Sequence, residues 1–158
     1  MKRLIIVGAG EYGQVVKEIA ESIGYAEISF IDDNSKMAID KISNIDKYVS
    51  EYKNAIVAIG NAKIREEITK KIESIGFKIP TLIHQKAYVS KSAKLEKGVV
   101  VEANAAINTN VEIQEGSIIG IGAIVNHNAT IGKYCQIDAG ALVKAREIIE
   151  DFKKIERN

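Results

Sequence analysis

Three glycines near the amino terminus have the spacing of a phosphate-binding turn. The segment Gly8–Gly13, with the sequence GAGEYG, follows the apolar run Leu4–Val7 and precedes a helical pattern. Its glycines permit a tight turn and a close approach of the backbone to a phosphate, and amide groups at the start of the next helix favour an anion. The sequence therefore predicts a phosphate site here, although a glycine turn without a ligand has the same pattern.

An acidic pair is the next candidate for binding chemistry. Asp32 and Asp33 end the second apolar run, and Asp32 comes 19 residues after Gly13. An acidic residue at this place commonly binds the ribose or the base of a nucleotide, whereas a solvated strand end is the alternative. Only about 80 residues carry this α/β pattern, roughly half of a six-stranded dinucleotide-binding fold. A mononucleotide or a nucleotide-sugar therefore fits better than NAD, which stays the weakest alternative.

His127 combines a suitable side chain with a suitable position for acid–base chemistry. It lies two residues after Val125, an inward-facing member of a repeat, and therefore at a corner of that repeat. A corner imidazole is exposed enough to act as a general base near neutral pH, although an incidental surface histidine has the same pattern. The other histidine, His84, is expected to have a structural role.

A six-residue repeat positions this histidine. Aliphatic residues recur every six positions through the ten hexads of residues 87–146, and a mostly small residue precedes each by two positions. The aliphatic column consists of Val89, Leu95, Val101, Ile107, Ile113, Ile119, Val125, Ile131, Ile137 and Val143. This period fits neither a helix nor a simple strand, but it is typical of a β-solenoid, here with roughly three coils. Cys135 lies in the small column and is expected to pack in the core.

The rest of the chain supplies two further patterns. The first half alternates strands and helices, which predicts a small parallel sheet whose last strand lies over Lys78–Ile83. After the repeat, isoleucines and Phe152 form a helical stripe among charged residues, which predicts an amphipathic capping helix. We therefore expect a Rossmann-like α/β domain over residues 1–84, a β-solenoid over 85–146 and a C-terminal helix over 147–158.

Composition argues against several functional classes. The net charge of +1 predicts neither a nucleic-acid partner nor an acidic membrane surface. No stretch approaches the roughly 20 apolar residues of a membrane span, so no membrane insertion is expected. A single cysteine cannot form an intrachain disulfide, which favours a reducing, cytoplasmic location.

Taken together, the chain resembles the sugar O-acyltransferases related to sialic-acid O-acetyltransferase, a family that includes N-acetyltransferases of UDP-4-amino sugars. Five segments carry this resemblance, in order along the chain. They are Ile6–Gly10, Phe30–Asp33, Ala58–Asn61, Leu82–His84 and Ile124–His127. The ordered set is specific, whereas no single segment would be.

The resemblance implies a left-handed parallel β-helix of hexapeptide repeats and a homotrimer with active sites between subunits. It also implies acetyl transfer from acetyl-CoA to a nucleotide-activated amino sugar, expected to be UDP-linked, without a metal. The implied substrate-binding residues are Gly8, Gly10, Glu11, Tyr12, Gly13, Asp32, Asp33, Gly60 and Asn61. The implied catalytic residues are His127, as general base, and Asn128, and the implied CoA-binding residues are Gln136 and Gly140.

Four positions depart from the family's pattern. Tyr12 and Gln136 stand where histidine is frequent, and Gly120 stands where asparagine is frequent. The neutral Asn128 replaces an acid that usually follows the catalytic histidine, and this should lower the basicity of the imidazole. The repeat is also expected to end several coils earlier than in the family. This leaves a second hypothesis open, a non-catalytic nucleotide-sugar-binding trimer that has lost its CoA coils.

Overall fold

A computed structural model describes residues 2–158 and divides the chain into two compact units. The first unit ends at Pro80 and the second covers Thr81–Asn158. Within residues 2–158, no helix is long and apolar enough to cross a membrane.

The first unit contains a four-stranded parallel sheet. Its elements are β1 (Lys2–Val7), α1 (Glu11–Ser22), β2 (Tyr25–Ile31), β3 (Ala38–Asp40), a 3-10 helix (Ile42–Tyr48), α2 (Val49–Tyr52), β4 (Ala55–Val57) and α3 (Ala62–Ile75). The strand order is β3-β2-β1-β4, and all pairs are parallel, so the carboxyl ends of β1, β2 and β4 meet at one edge. The glycine loop, the acidic pair and the Gly60–Asn61 segment follow these three strands. The Rossmann-like prediction is therefore confirmed, and the sheet collects the predicted binding residues at one edge.

The prediction that the last strand of this unit lies over Lys78–Ile83 is wrong. Lys78 makes only an isolated bridge with Asn54, and Leu82–Ile83 pairs instead with Val100–Val101 of the second unit. Pro80 explains the interruption, because proline has no N–H to donate to a strand ladder.

The second unit is a parallel β-helix built from two-residue strands. These strands form three sheets, of four, five and four members. In chain order they are β5 (Leu82–Ile83), β6 (Tyr88–Val89), β7 (Lys94–Leu95), β8 (Val100–Val101), β9 (Ala106–Ile107), β10 (Glu112–Ile113), β11 (Ile118–Ile119), β12 (Ile124–Val125), β13 (Thr130–Ile131), β14 (Gln136–Ile137), β15 (Leu142–Val143), β16 (Ile148–Ile149) and β17 (Lys154–Ile155). The aliphatic and small columns fill the interior, as the repeat predicted. The left-handed β-helix is therefore confirmed.

A left-handed backbone conformation recurs at the corners of this β-helix. Ten residues spaced six apart have φ between 53° and 74°. They are Gly98, Asn104, Asn110, Gly116, Gly122, Asn128, Tyr134, Gly140, Arg146 and Phe152. Most are glycine or asparagine, the residues that tolerate this region best. Asn128, which follows the predicted base, is one of these corner residues.

The predicted C-terminal helix over residues 147–158 is wrong, because β16 and β17 occupy this segment and pair with β13 and β14. Ile149 and Ile155 continue the aliphatic column at the same spacing of six. The small column stops there, since Glu147 and Lys153 take its places, and this change concealed the repeat. The β-helix consequently has a little over four coils and extends beyond the end predicted for it.

Candidate functional site

Two glycines of the predicted phosphate loop are required by the fold itself. Gly8 has a φ of +108°, and a Cβ added there would lie 2.6 Å from the carbonyl oxygen of Ala58. A Cβ added to Gly13 would overlap with the carbonyl oxygen of Gly8, because α1 begins against the end of β1. These two glycines have a structural explanation whether or not a ligand binds.

Gly10 and Gly60 have no such structural explanation. A Cβ at either position would find no atom within 4 Å, and Gly10 has an ordinary extended backbone with φ −75°. Gly10 is the N-cap of α1, and its lack of a side chain leaves the start of this helix without a side-chain cap. The first turn of α1 is therefore open to an anion, and both glycines allow a ligand to approach the backbone closely.

The carboxylate of Asp32 organises the loops at this edge. One oxygen accepts a hydrogen bond from the N–H of Ala9 and the other from the N–H of Asn34, each at 2.8 Å. These main-chain donors, led by Ala9, lower the pKa of Asp32 below its usual value. The residue thus connects the glycine loop to the end of β2. Each oxygen retains a further lone pair that can accept from a ligand hydroxyl.

Other predicted binding residues lie around the same edge. Asn61 caps α3, because its side-chain oxygen accepts from the N–H of Ile64 at 3.0 Å. Asp33 accepts from the N–H of Ile42 at 2.9 Å and so holds the segment after β3. Glu11 is exposed in the first turn of α1, and the neighbouring Tyr12 is half-buried. The structure brings all nine predicted substrate-binding residues to the loops that follow β1, β2 and β4 or to the first turn of α1.

Arg65 is a residue of this region that the sequence analysis missed. It lies in the first turn of α3, is only 3% exposed and donates from Nη1 to the carbonyl oxygens of Ile59 and Gly60, at 3.0 Å each. A guanidinium is rarely buried without a partner that uses its donors. Its place in a helical sequence of alternating charges gave no signal, because the contact depends on the loop before the helix.

His127 lies on the corner between β12 and β13 and is half-buried. Its Nδ1 is 3.1 Å from Oδ1 of Asn128, and its main-chain N–H donates to Oδ1 of Asn126 at 2.8 Å. Asn126 also accepts from Nδ2 of Asn108, one coil below, at 3.0 Å. Asn128 thus contacts the imidazole, whereas Asn126 holds the main chain of His127 and is itself held by the coil below.

A cavity of about 400 Å³ lies at the C-terminal end of the β-helix. Gly140 and Leu142 line it together with two cationic side chains, Lys144 and Arg157, and two acidic ones, Glu147 and Glu156. Gln136, the other residue predicted to bind CoA, is not among its lining residues. The Nε2 of Gln136 donates instead to Asp138 Oδ1 at 3.0 Å, on the outer surface of β14.

The remaining nucleophilic and ligating groups fit structural roles. Cys135 is fully buried in the inner column, where its burial raises the pKa of the thiol. The Nδ1 of His84 accepts the N–H of Lys86 at 3.0 Å, so this imidazole stabilises the first turn of the β-helix. In the part of the chain that the structure describes, no group of three or more histidine, cysteine or acidic residues is arranged to hold a metal ion.

The chain combines a Rossmann-like unit with a β-helix of hexads that carries a histidine on one of its corners. This combination defines a class of hexapeptide-repeat transferases. Two domain families match the chain: the PglD N-terminal domain over residues 3–72 and the bacterial transferase hexapeptide (six repeats) over residues 110–145. The acetyltransferase domain of PglB from Neisseria gonorrhoeae, solved with acetyl coenzyme A, is 30% identical with a TM-score of 0.81. This match covers 95% of our chain and 85% of that domain. The chain therefore belongs to the sugar acyltransferase family with hexapeptide repeats that its sequence resembles, and its relatives there are acetyltransferases.

Two further relatives extend the comparison. PerB from Caulobacter crescentus, solved with CoA and GDP-perosamine, is 20% identical, with a TM-score of 0.73 over 100% of this chain and 90% of that chain. At this identity the likeness shows the fold alone. UDP-N-acetylbacillosamine N-acetyltransferase from Bacillus subtilis is 27% identical over 113 residues, which are 65% of this chain and 52% of the relative. The chain thus spans about half the length of this curated relative.

Proposed function

We propose that this protein transfers an acetyl group from acetyl-CoA to the amine of a nucleotide-activated sugar, with UDP as the expected nucleotide. The single observation that carries the proposal is the fixed imidazole of His127, 3.1 Å from Asn128 Oδ1 on a corner of the β-helix. The acetyltransferase relatives with the same two domains, including one solved with acetyl coenzyme A, support the donor.

Asn128 sets the protonation pattern of the base in this mechanism. An amide oxygen can only accept, so its contact with Nδ1 favours the tautomer whose proton lies on Nδ1. The Nε2 of His127 is then the basic nitrogen, and it removes a proton from the sugar amine as that amine attacks the thioester carbonyl. The new bond is the amide C–N bond, and the bond that breaks is the C–S bond to CoA. The transfer is direct, and Cys135 forms no acyl intermediate because it is buried.

The acceptor occupies the edge of the sheet in the first unit. Its pyrophosphate lies at the open N-terminus of α1, against Gly10, where the amide dipoles favour a negative charge. Asp32 accepts from a ribose hydroxyl with a lone pair that Ala9 does not use. Gly60 and Asn61 contribute backbone to the base or the ribose.

The donor binds at the C-terminal cavity of the β-helix. Lys144 and Arg157 can pair with the phosphates of CoA, while Leu142 offers apolar contact to the pantetheine arm that ends in the thioester. Gly140, a predicted CoA-binding residue, lines this cavity. Gln136 is proposed to contact the same ligand through the surface of β14. The additional coil formed by β16 and β17 supports this donor site, because β17 provides part of the wall.

A homotrimer is part of the proposal. The outward residues of one β-helix sheet are apolar and exposed, with Tyr88 at 60%, Ile124 at 48% and Leu142 at 55%. The outward residues of the sheet that follows are mixed, since Lys94, Glu112 and Thr130 suit solvent and only Ile148 is apolar. An exposed apolar column of this kind is typical of a protein–protein contact. Since the column adjoins the corner that carries His127, assembly through it would bring a neighbouring chain to the base. We place this assembly in the cytoplasm, where a free thiol such as Cys135 persists.

Acetyl-CoA binding and turnover test the proposal together. Calorimetry with the intact protein should show acetyl-CoA binding. Addition of a UDP-linked 4-amino sugar should then lead to the release of CoA as a reaction product. His127→Ala should lower kcat by at least about 100-fold and leave acetyl-CoA affinity unchanged, because a positioned general base contributes about that much. CoA release that does not respond to His127→Ala would exclude the mechanism. Nucleotide-sugar binding without acetyl-CoA binding would instead favour a non-catalytic binding protein.

A further inference from the structure

The peptide groups between β4 and α3 have a fixed orientation that has a direct consequence for ligand binding. Arg65 Nη1 donates hydrogen bonds to the carbonyl oxygens of Ile59 and Gly60, at 3.0 Å each. No peptide bond in the described chain is cis, and in a trans peptide the carbonyl and the N–H point in opposite directions. The N–H groups of Gly60 and Asn61 therefore point away from the buried guanidinium.

These two N–H groups have room for a ligand. Within residues 2–158 neither of them donates to another protein group. A Cβ on Gly60 would meet no atom within 4 Å, so the space beside this peptide is open. An N–H group needs an acceptor when it is covered, and a ligand that covers this segment must therefore present one.

The same segment adjoins the glycine loop. A Cβ on Gly8 would lie 2.6 Å from Ala58 O and 3.1 Å from Ile59 Cγ1, so the two loops are in contact along their backbones. The segment that carries the N–H pair of Gly60 and Asn61 therefore lies beside the glycine loop, at the edge where the nucleotide-sugar is proposed to bind.

We infer that Arg65 is a positioning residue for nucleotide recognition, which holds the N–H groups of Gly60 and Asn61 toward acceptor atoms of the nucleotide. The guanidinium touches no ligand, because it is buried behind the peptides that it orients. Suitable acceptors are the carbonyl oxygens of a nucleobase, since the pyrophosphate is assigned to α1. This inference rests on the proposed function, because it requires that the first unit binds a nucleotide.

The experiment compares four proteins: wild type, Arg65→Met, Arg65→Lys and Lys70→Met. Methionine keeps much of the volume of Arg65 and removes its donors, whereas lysine keeps a cation that can donate to both carbonyls. Lys70→Met removes the same charge from an exposed place on α3 and is the matched control. Calorimetry measures the affinity for UDP, for GDP and for acetyl-CoA, and thermal unfolding measures stability.

The inference predicts that Arg65→Met weakens binding of the preferred nucleotide by about tenfold or more, because peptides that are no longer held in place must be ordered when the ligand binds. Acetyl-CoA affinity should stay the same, Arg65→Lys should restore part of the loss, and Lys70→Met should match wild type. Equal nucleotide binding by wild type and Arg65→Met would overturn the inference and leave the proposed function intact. Failure of wild type to bind either nucleotide would overturn both.

Hydrogen exchange on the wild-type protein gives a second test that does not depend on a stable variant. The amides of Gly60 and Asn61 should exchange readily in the free protein and at least about tenfold more slowly with saturating nucleotide, because the ligand then accepts from them. Exchange at these amides that is unchanged while the glycine loop becomes protected would overturn the inference and support nucleotide binding alone.

Discussion

The carboxylate of Asp32 accepts a hydrogen bond from the main-chain N–H of Ala9 at 2.8 Å, and so ties the end of one strand to the glycine loop of its neighbour. The second carboxylate oxygen accepts a hydrogen bond from the main-chain N–H of Asn34. An acidic residue at this place in an α/β fold is usually assigned to the ligand. Here it also shapes the loop in which the ligand is proposed to bind, and the two roles can be separated by experiment.

Asp32→Asn should loosen the glycine loop. An asparagine amide has one oxygen, so one of the two main-chain donors, at Ala9 or Asn34, loses its acceptor. We expect at least about tenfold faster hydrogen exchange at that amide and weaker nucleotide binding. Exchange that stays at the wild-type rate at both amides would contradict this role.

Lowering the pH should also loosen the glycine loop in the wild-type protein. The folded protein lowers the pKa of Asp32, so the contribution of its carboxylate to stability is fully present above the usual pKa of about 4. That contribution should be lost as the pH falls through the lowered pKa. Loop protection at Ala9, followed by hydrogen exchange corrected for its intrinsic pH dependence, should therefore decrease only below about pH 4, and the decrease should be absent in Asp32→Asn.

Alanine substitutions can separate glycines that the fold requires from glycines that a ligand requires. Gly60→Ala should fold with nearly wild-type stability, since its new methyl group meets no protein atom within 4 Å. Gly10→Ala has the same room and should lose at most about 1 kcal/mol, because alanine is a poorer N-cap than glycine. Both should weaken nucleotide binding, because the methyl group occupies space next to the exposed backbone. Gly8→Ala should instead destabilise the first unit by about 1–3 kcal/mol or more, given its φ of +108° and its contact with Ala58. Normal nucleotide affinity in both Gly10→Ala and Gly60→Ala would contradict the proposed location of the ligand.

Asn128→Asp should change the pH dependence of transfer. Aspartate tolerates the left-handed conformation of this corner, where φ is 61°, and its charge would stabilise the imidazolium form of His127. The acidic limb of the kcat/KM profile should shift to higher pH by about one unit. Asn104→Asp is the matched control, because Asn104 has φ of 60° on another corner, and its profile should match wild type. An unshifted limb in Asn128→Asp would argue against His127 as the general base.

Tyr88→Glu should weaken self-association. Its side chain is 60% exposed in the apolar column proposed as the subunit interface, and a buried unpaired carboxylate is costly there. We expect sedimentation to show a shift from trimer toward monomer at the same protein concentration. Lys94→Glu, on the outward face of the adjacent sheet, is the control and should remain a trimer. A monomeric wild-type protein would refute the proposed interface directly.

Most of the architecture could be predicted from the sequence, because the spacing of the aliphatic residues follows directly from the structure. Ile107, Ile113 and Ile119 share a column at an interval of six, and this interval is set by corners with a local backbone conformation. The C-terminal helix was predicted in error because Ile148 and Phe152 happen to add a helical stripe to the two isoleucines that continue the column. Local pattern cannot decide between the two structures there, whereas pairing of Ile149 with Ile131 of the previous coil does.

The candidate site was predictable only in part. Gly10 and Asp32 could be found from their spacing to a strand, because that spacing reflects the parallel sheet. The sequence could not show that the fold requires Gly13 and does not require Gly10, because this depends on how closely α1 approaches β1. The role of Arg65 could not be predicted either, because a buried guanidinium that binds carbonyl groups has no sequence signature.

The coil length has an evolutionary consequence. Asn108 and Asn126 occupy equivalent corners 18 residues apart, so one full turn of the β-helix takes 18 residues. An insertion of six residues before Asn126 would carry His127 to a different side of the solenoid, away from the apolar column. An insertion of 18 residues would only raise it by one level. Duplication of whole turns is therefore the change of chain length that this β-helix can accept upstream of His127 without losing the neighbourhood of that side chain.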